Sequence, residues 1–239
     1  MTIEYGEKPQ TPFLMPAVIR PGLPGWFREW RGLHDNLDTH QLSRQALTTD
    51  YRGLERIDLQ ILSMIDDARR RLGAFGVETP PRVLFTGWSA PGSLADRMTA
   101  MHPSRVKALV VGGFGATPML PVSELDGQPF DFPIGVGDLD ALIGAPFDLK
   151  TYRQIPYLLQ HGEDDANDPI PDVDPKGRKQ RKIVQQVLGR RPLDRIEKIR
   201  SVYDQVGAHQ FELRTYRNAD HGGSREIALD IQQFLEKHL

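Results

Sequence analysis

Between Leu54 and Gly113 the chain alternates helical spacing with short continuous apolar runs, and no other feature of the sequence restricts the fold as much. From Leu54 to Leu72 the apolar residues Leu54, Ile57, Ile61, Leu62, Ile65, Ala68 and Leu72 recur three and four apart, while Arg56, Asp66, Arg69, Arg70 and Arg71 fall elsewhere. That is the stripe of an amphipathic helix. Gly73 and Gly76 can close it, Pro80-Pro81 forbid its continuation, and Val83-Leu84-Phe85-Thr86 follows as a strand apolar on both faces. Helical spacing returns over residues 92–101 and stops at His102-Pro103; Val106 to Val111 is then a second buried strand, closed by Gly112-Gly113. Strands without a polar face, alternating with helices, predict a mostly parallel sheet flanked by helices, an α/β fold.

The rest of the chain extends this pattern as a single domain over 1–239. Residues 1–12 read as a loose terminus, and the run Phe13 to Ile19 as a strand ended by Arg20-Pro21-Gly22. Residues 22–50 read as loop with a short helix, and 114–150, rich in Gly, Pro and Asp, as an insertion or lid. A strand is expected over Ile155 to Gln160, polar helix over 175–206, a strand over Phe211 to Tyr216 and a terminal helix over Ile227 to Leu235.

Composition narrows the chemistry by exclusion. The chain has no cysteine, so disulfides, thiolate nucleophiles and Cys-ligated zinc are excluded, and a nucleophile must be Ser, Thr, Asp, Lys or similar. With 30 Lys and Arg against 32 Asp and Glu, a net charge of -2 gives no overall field for gripping nucleic acid or a membrane surface, and neither partner is expected. The first 20 residues lack a basic start and apolar stretch, which reads as a cytoplasmic protein. No H-E-x-x-H or H-x-H spacing occurs, so neither metal nor other cofactor is expected. The basic run from Lys176 to Arg191 carries Ile183, Val184, Val187 and Leu188 between its charges and reads as the solvated side of an amphipathic helix rather than an anion-binding surface.

The informative segment is Val83-Leu84-Phe85-Thr86-Gly87-Trp88-Ser89-Ala90-Pro91-Gly92, an apolar strand, a glycine, a serine and a helix start. A sharp strand-to-helix turn of this kind holds a serine in a strained conformation with Oγ aimed away from the sheet, and the helix N-terminus faces the place where an oxyanion would form. Two further loops are expected at the same edge of the sheet. One is His161-Gly162-Glu163-Asp164-Asp165-Ala166-Asn167-Asp168, where Asp164, Asp165 and Asp168 compete as the acid; the other is Asn218-Ala219-Asp220-His221-Gly222-Gly223, which presents one histidine. His161 reads as a packed core residue, His34, His40, His209 and His238 as surface residues, and His102 as a helix-end residue.

On Gly87-Trp88-Ser89-Ala90, Met101-His102-Pro103-Ser104-Arg105-Val106, His161-Gly162-Glu163-Asp164-Asp165 and Asp220-His221-Gly222, the chain over 54–239 resembles an α/β-hydrolase, especially the esterase and poly(hydroxybutyrate) depolymerase-like branch. The resemblance implies Ser89 as nucleophile, Asp165 as acid and His221 as base, with an acyl-enzyme formed and hydrolysed on a small or polymeric carboxylic ester. It also implies Ala90 N–H as one oxyanion donor and, from the loop Arg20-Pro21-Gly22-Leu23, Gly22 as the second, because Pro21 has no N–H. Trp88, beside Ser89, is expected to line the substrate pocket; Trp26, Phe27 and Trp30 are weaker candidates.

Three positions depart from that pattern. Pro91 stands where the elbow usually has its second glycine, Arg20-Pro21 replaces the usual His-Gly pair, and the fold is expected to be N-terminally shortened. The uncovered sheet edge leaves room for a homodimer. These departures favour the alternative reading, a non-catalytic α/β-hydrolase-like module that binds a ligand or partner.

Overall fold

The structure, a computed structural model, describes residues 11–16, 41–50, 53–168, 170 and 175–239. Gly22, Trp26, Phe27, Trp30, His34 and His40 lie outside the described residues. The chain divides into two compact units, Met1–Val83 and Leu84–Leu239.

In the first unit, residues 11–16 are irregular rather than a strand. Pro12 and Pro16 bracket them and supply no N–H to a ladder; residues 17–19 of the expected strand lie outside the described residues. Helix α1, Arg44–Thr48, starts on Ser43, whose hydroxyl oxygen accepts the Ala46 N–H at 3.2 Å. Helix α2, Ile57–Ala74, is the stripe read from the sequence, with Ile57, Ile61 and Ile65 buried. Its buried Asp58 is paired by the Arg56 guanidinium at 2.7 Å, which meets the cost of burying a carboxylate.

The second unit is built on a sheet whose strands, among the described residues, are β1 (Val83–Trp88), β2 (Val106–Gly112), β5 (Tyr157–Gly162) and β6 (Phe211–Tyr216). They lie side by side in chain order, and the β2–β5 and β5–β6 pairs are parallel, with Leu109 opposite Tyr157 and Leu159 opposite Leu213. Helix α3, Ala90–Met101, joins β1 to β2 and packs on β2. Between β2 and β5 the chain makes a small hairpin of β3 (Glu124–Leu125) and β4 (Gln128–Pro129), then two short helices, α4 (Leu139–Ile143) and α5 (Leu149–Tyr152). The segment read as an insertion or lid buries Met119, Leu120, Phe130, Phe132 and Leu139, so it carries packed apolar side chains of its own.

The polar stretch 175–206 is two helices, α6 (Pro175–Val187) and α7 (Pro192–Gln205). Gly189, at φ 131, breaks the run between them, and Pro192 opens α7 where its missing N–H costs nothing. Helix α8, Arg225–His238, follows β6 and is capped by Ser224.

The two faces of the sheet can be told apart on β5, because side chains alternate along a strand. Tyr157 donates its hydroxyl to Asp96 of α3 at 2.9 Å and meets Tyr203 of α7 edge-on, so its face is covered by α3 and α7. Gln160 donates to the Ile227 carbonyl at 3.3 Å, so α8 covers the opposite face, where it also packs on β2. Right-handed crossovers in chain order place every connecting helix on one face and leave the other to the helix that follows the last strand. Leu109, Val110, Leu158 and Leu159 are fully buried between these layers. Among the described residues, no helix is long and apolar enough to cross a membrane.

Candidate active site

Ser89 stands between β1 and α3 at φ 61 and ψ -131, a backbone conformation that L-residues rarely adopt. Its N–H donates to the Gly112 carbonyl at 2.8 Å, and its own carbonyl accepts the Ser93 N–H at 3.1 Å, so β2 and the first turn of α3 hold the bend from both sides. Pro91 falls at the second helical position, where an N–H has no intrahelical acceptor. The close approach that a glycine serves in this turn is made one residue later. A Cβ on Gly92 would lie 2.9 Å from the Gly112 carbonyl oxygen and 2.9 Å from the Phe114 ring. Ala90, the first helical residue, directs its N–H out of the helix end, beside Ser89.

His221 comes from the loop after β6 and Asp165 from the loop after β5. His221 Nε2 lies 3.1 Å from Ser89 Oγ, and His221 Nδ1 lies 3.1 Å from Asp165 Oδ2. A carboxylate only accepts hydrogen bonds, so Nδ1 carries the proton and the Nε2 lone pair faces the hydroxyl, which donates to it. The Asp165 side chain is 1% exposed and that of His221 45%, so the acid is enclosed while the imidazole borders solvent. The second carboxylate oxygen of Asp165 accepts the Asn167 N–H at 2.9 Å.

The two loops are also tied to one another. Glu163 N–H donates to the Tyr216 carbonyl at 2.9 Å and Asp164 N–H to the Ala219 carbonyl at 3.0 Å, while Gly162 lies so close to Ala219 that a side chain there would collide with its carbonyl. Acid and imidazole are therefore held by backbone contacts as well as by their own bond.

Of the three acids left open by the sequence, Asp165 is the one that reaches His221. Asp168 is engaged by the fully buried Arg195, with Nη1 to Oδ1 at 3.0 Å and Nη2 to Oδ2 at 2.7 Å. Such a two-point pair fixes a carboxylate more firmly than a single bond. Asp164 is exposed. His161 is fully buried with neither ring nitrogen hydrogen-bonded to a described residue, and burial chiefly lowers its pKa, Asp165 opposing the shift. Among the described residues no cluster of His, Asp and Glu could hold a metal ion.

Trp88 is committed to a backbone contact. Its indole N–H donates to the His221 carbonyl at 2.8 Å. Sequence reasoning also missed three supporting groups: Asn167, which caps the acid; Arg195, which engages the rival acid; and Asp96. Asp96 is buried in α3, accepts the Met119 N–H at 2.8 Å and the Tyr157 hydroxyl at 2.9 Å, and burial pushes its pKa up to about 6. The contacts of Arg195 and Asp96 join segments far apart and have no local sequence signal, although a lone Asp among Leu94, Ala95 and Met98 of an apolar helix marks a buried acid; the Asn167 cap is local, two residues from the acid.

No protein-family model matches the chain, and no curated protein does. Solved structures do resemble it. The poly(3-hydroxybutyrate) depolymerase LpqC from Bordetella parapertussis is 15% identical with a TM-score of 0.55, the match covering 87% of this chain and 68% of that one. An acylaminoacyl peptidase from Pyrococcus horikoshii is 16% identical over 84% of this chain and 29% of its own, with a TM-score of 0.44. TT1662 from Thermus thermophilus is 22% identical over 75% and 61%, with a TM-score of 0.41. The depolymerase match, with the parallel sheet and its helices, shows that the chain has the α/β-hydrolase fold.

Proposed function

We propose that the chain is a serine hydrolase that cleaves a carboxylic ester, with Ser89 as nucleophile, His221 as general base and Asp165 as its orienting acid. The observation that carries this reading is the continuous line from Ser89 Oγ to His221 to Asp165, with both contacts at 3.1 Å and its three members drawn from three separate loops.

Ser89 Oγ attacks the ester carbonyl carbon while its proton passes to His221 Nε2; Asp165, across Nδ1, favours the resulting imidazolium. The carbonyl oxygen takes up negative charge beside the Ala90 N–H and the positive end of α3, which support it more than they support the neutral ester. As the tetrahedral intermediate collapses, the bond to the alcohol oxygen breaks and His221 returns the proton to that oxygen. Water, giving its proton to Nε2, then attacks the acyl-serine; collapse releases the carboxylic acid and restores the Ser89 hydroxyl. The reading assigns the second oxyanion donor to Gly22, outside the described residues.

A fluorophosphonate probe is expected to leave one mass adduct, on Ser89, that is lost in Ser89→Ala. Hydrolysis of a short p-nitrophenyl ester is expected to fall by roughly four orders of magnitude in Ser89→Ala and in His221→Ala. Folded protein that neither labels nor hydrolyses would leave the fold as a binding scaffold and remove the enzymatic reading.

A further inference from the structure

We infer that Trp88 is a positioning residue, a clamp that fixes the histidine loop to the strand bearing the nucleophile; the inference rests on the roles proposed above for Ser89 and His221. Trp88 is the last residue of β1, directly before Ser89. Its indole N–H donates to the His221 backbone carbonyl at 2.8 Å, across 133 residues of chain.

The slot that holds the ring is built by two consecutive glycines at the end of β2. A Cβ on Gly112 would collide with the six-membered ring, and one on Gly113, at φ +71, would lie 2.7 Å from both Cε2 and Nε1 of the indole. The floor of the slot is joined to the acid loop in turn, because Asn167 Nδ2 donates to the Gly113 carbonyl at 3.3 Å. One indole thus touches the end of β2 and the histidine loop, while its own backbone leads into the nucleophile.

The consequence is geometric. Ser89 and Asp165 fix the plane and tautomer of the imidazole, but neither fixes the main chain from which it hangs. Trp88 does so at the same residue. A displacement of about 1 Å at a reacting group can cost roughly a hundredfold in rate, so a clamp acts on turnover. A pocket wall, the role expected from the sequence, acts first on substrate binding.

In the full-length protein, Trp88→Phe removes the donor and keeps an aromatic ring. With a p-nitrophenyl ester, kcat is expected to fall roughly ten- to a hundredfold with KM near its wild-type value. Amide exchange over residues 218–223 is expected to accelerate. An unchanged kcat, or a raised KM at unchanged kcat, would overturn the clamp. Benzothienylalanine at position 88, in which sulfur replaces the N–H at nearly constant shape, should reproduce the loss in kcat and stands in should the Phe variant not fold. One readout needs no turnover: the indole Nε1 proton of the wild-type protein is expected to exchange far more slowly than that of free tryptophan. Exchange at the free rate defeats the clamp, whereas slow exchange in a protein whose Ser89 does not react defeats only the hydrolase reading.

Discussion

Asp165 offers one carboxylate oxygen to the Asn167 N–H and the other to His221 Nδ1, whereas Asp168 three residues on is taken up by Arg195. The two acids should therefore fail differently. Asp165→Asn keeps shape but presents an amide where Nδ1–H needs an acceptor, and kcat is expected to drop by about three to four orders of magnitude with little change in melting temperature. Asp168→Ala leaves a fully buried guanidinium with neutral acceptors but without its counter-charge and is expected to cost about 3 kcal/mol of stability, read by urea denaturation, while each folded molecule keeps its rate. The sequence alone could not separate these residues, because both sit in one turn at the end of one strand. What separates them is Arg195, contributed by a helix whose approach no local pattern reveals. The turns that carry Ser89 and His221 are legible for the opposite reason: each is announced by the small residues it requires.

At the scale of elements, the strand-to-helix bend tolerates Pro91 because its tight contact has moved to Gly92. Gly92→Ala is the test. Helix propensity alone would make alanine better by about 1 kcal/mol, but the new Cβ would press on the Gly112 carbonyl oxygen at 2.9 Å, and backbone cannot step aside as a flexible side chain can. A net loss of about 1–3 kcal/mol is expected, seen as a melting temperature lower by several degrees. Gly73→Ala, in α2 with nothing within 4 Å of the new Cβ, is the control and should gain stability. Strands β1, β2, β5 and β6 and helices α2 and α8 were readable within a few residues because each holds one period throughout. The described part of the run 13–19, residues 13–16, is apolar but irregular, its prolines outweighing its hydrophobicity, and the β3–β4 hairpin has its local signal in Asp126-Gly127, both at positive φ and a recognised turn pair.

On the scale of the folded unit Leu84–Leu239, Asp96 joins α3 to β5 and to Met119 as a buried acid with its pKa raised to about 6. The folded state then holds a proton that the unfolded chain releases near pH 4, so stability is fullest below about pH 4 and declines as pH rises through about 6. The loss is on the order of 3 kcal/mol. Asp96→Asn reproduces the protonated pattern, accepting from Met119 and donating to Tyr157. It is expected to abolish this decline and to be the more stable protein at neutral pH, as denaturation at pH 4, 5, 6 and 7 would show.

In the four-stranded sheet, order in space follows order in the chain, β1, β2, β5, β6, and the histidine arrives only with the segment after the last strand. During synthesis each strand can dock on the one before it, but the serine at the first turn stays without its imidazole until the loop after β6 folds back toward it. An unfinished or prematurely halted chain would therefore lack the meeting of Ser89 with His221 on which the proposed reaction rests.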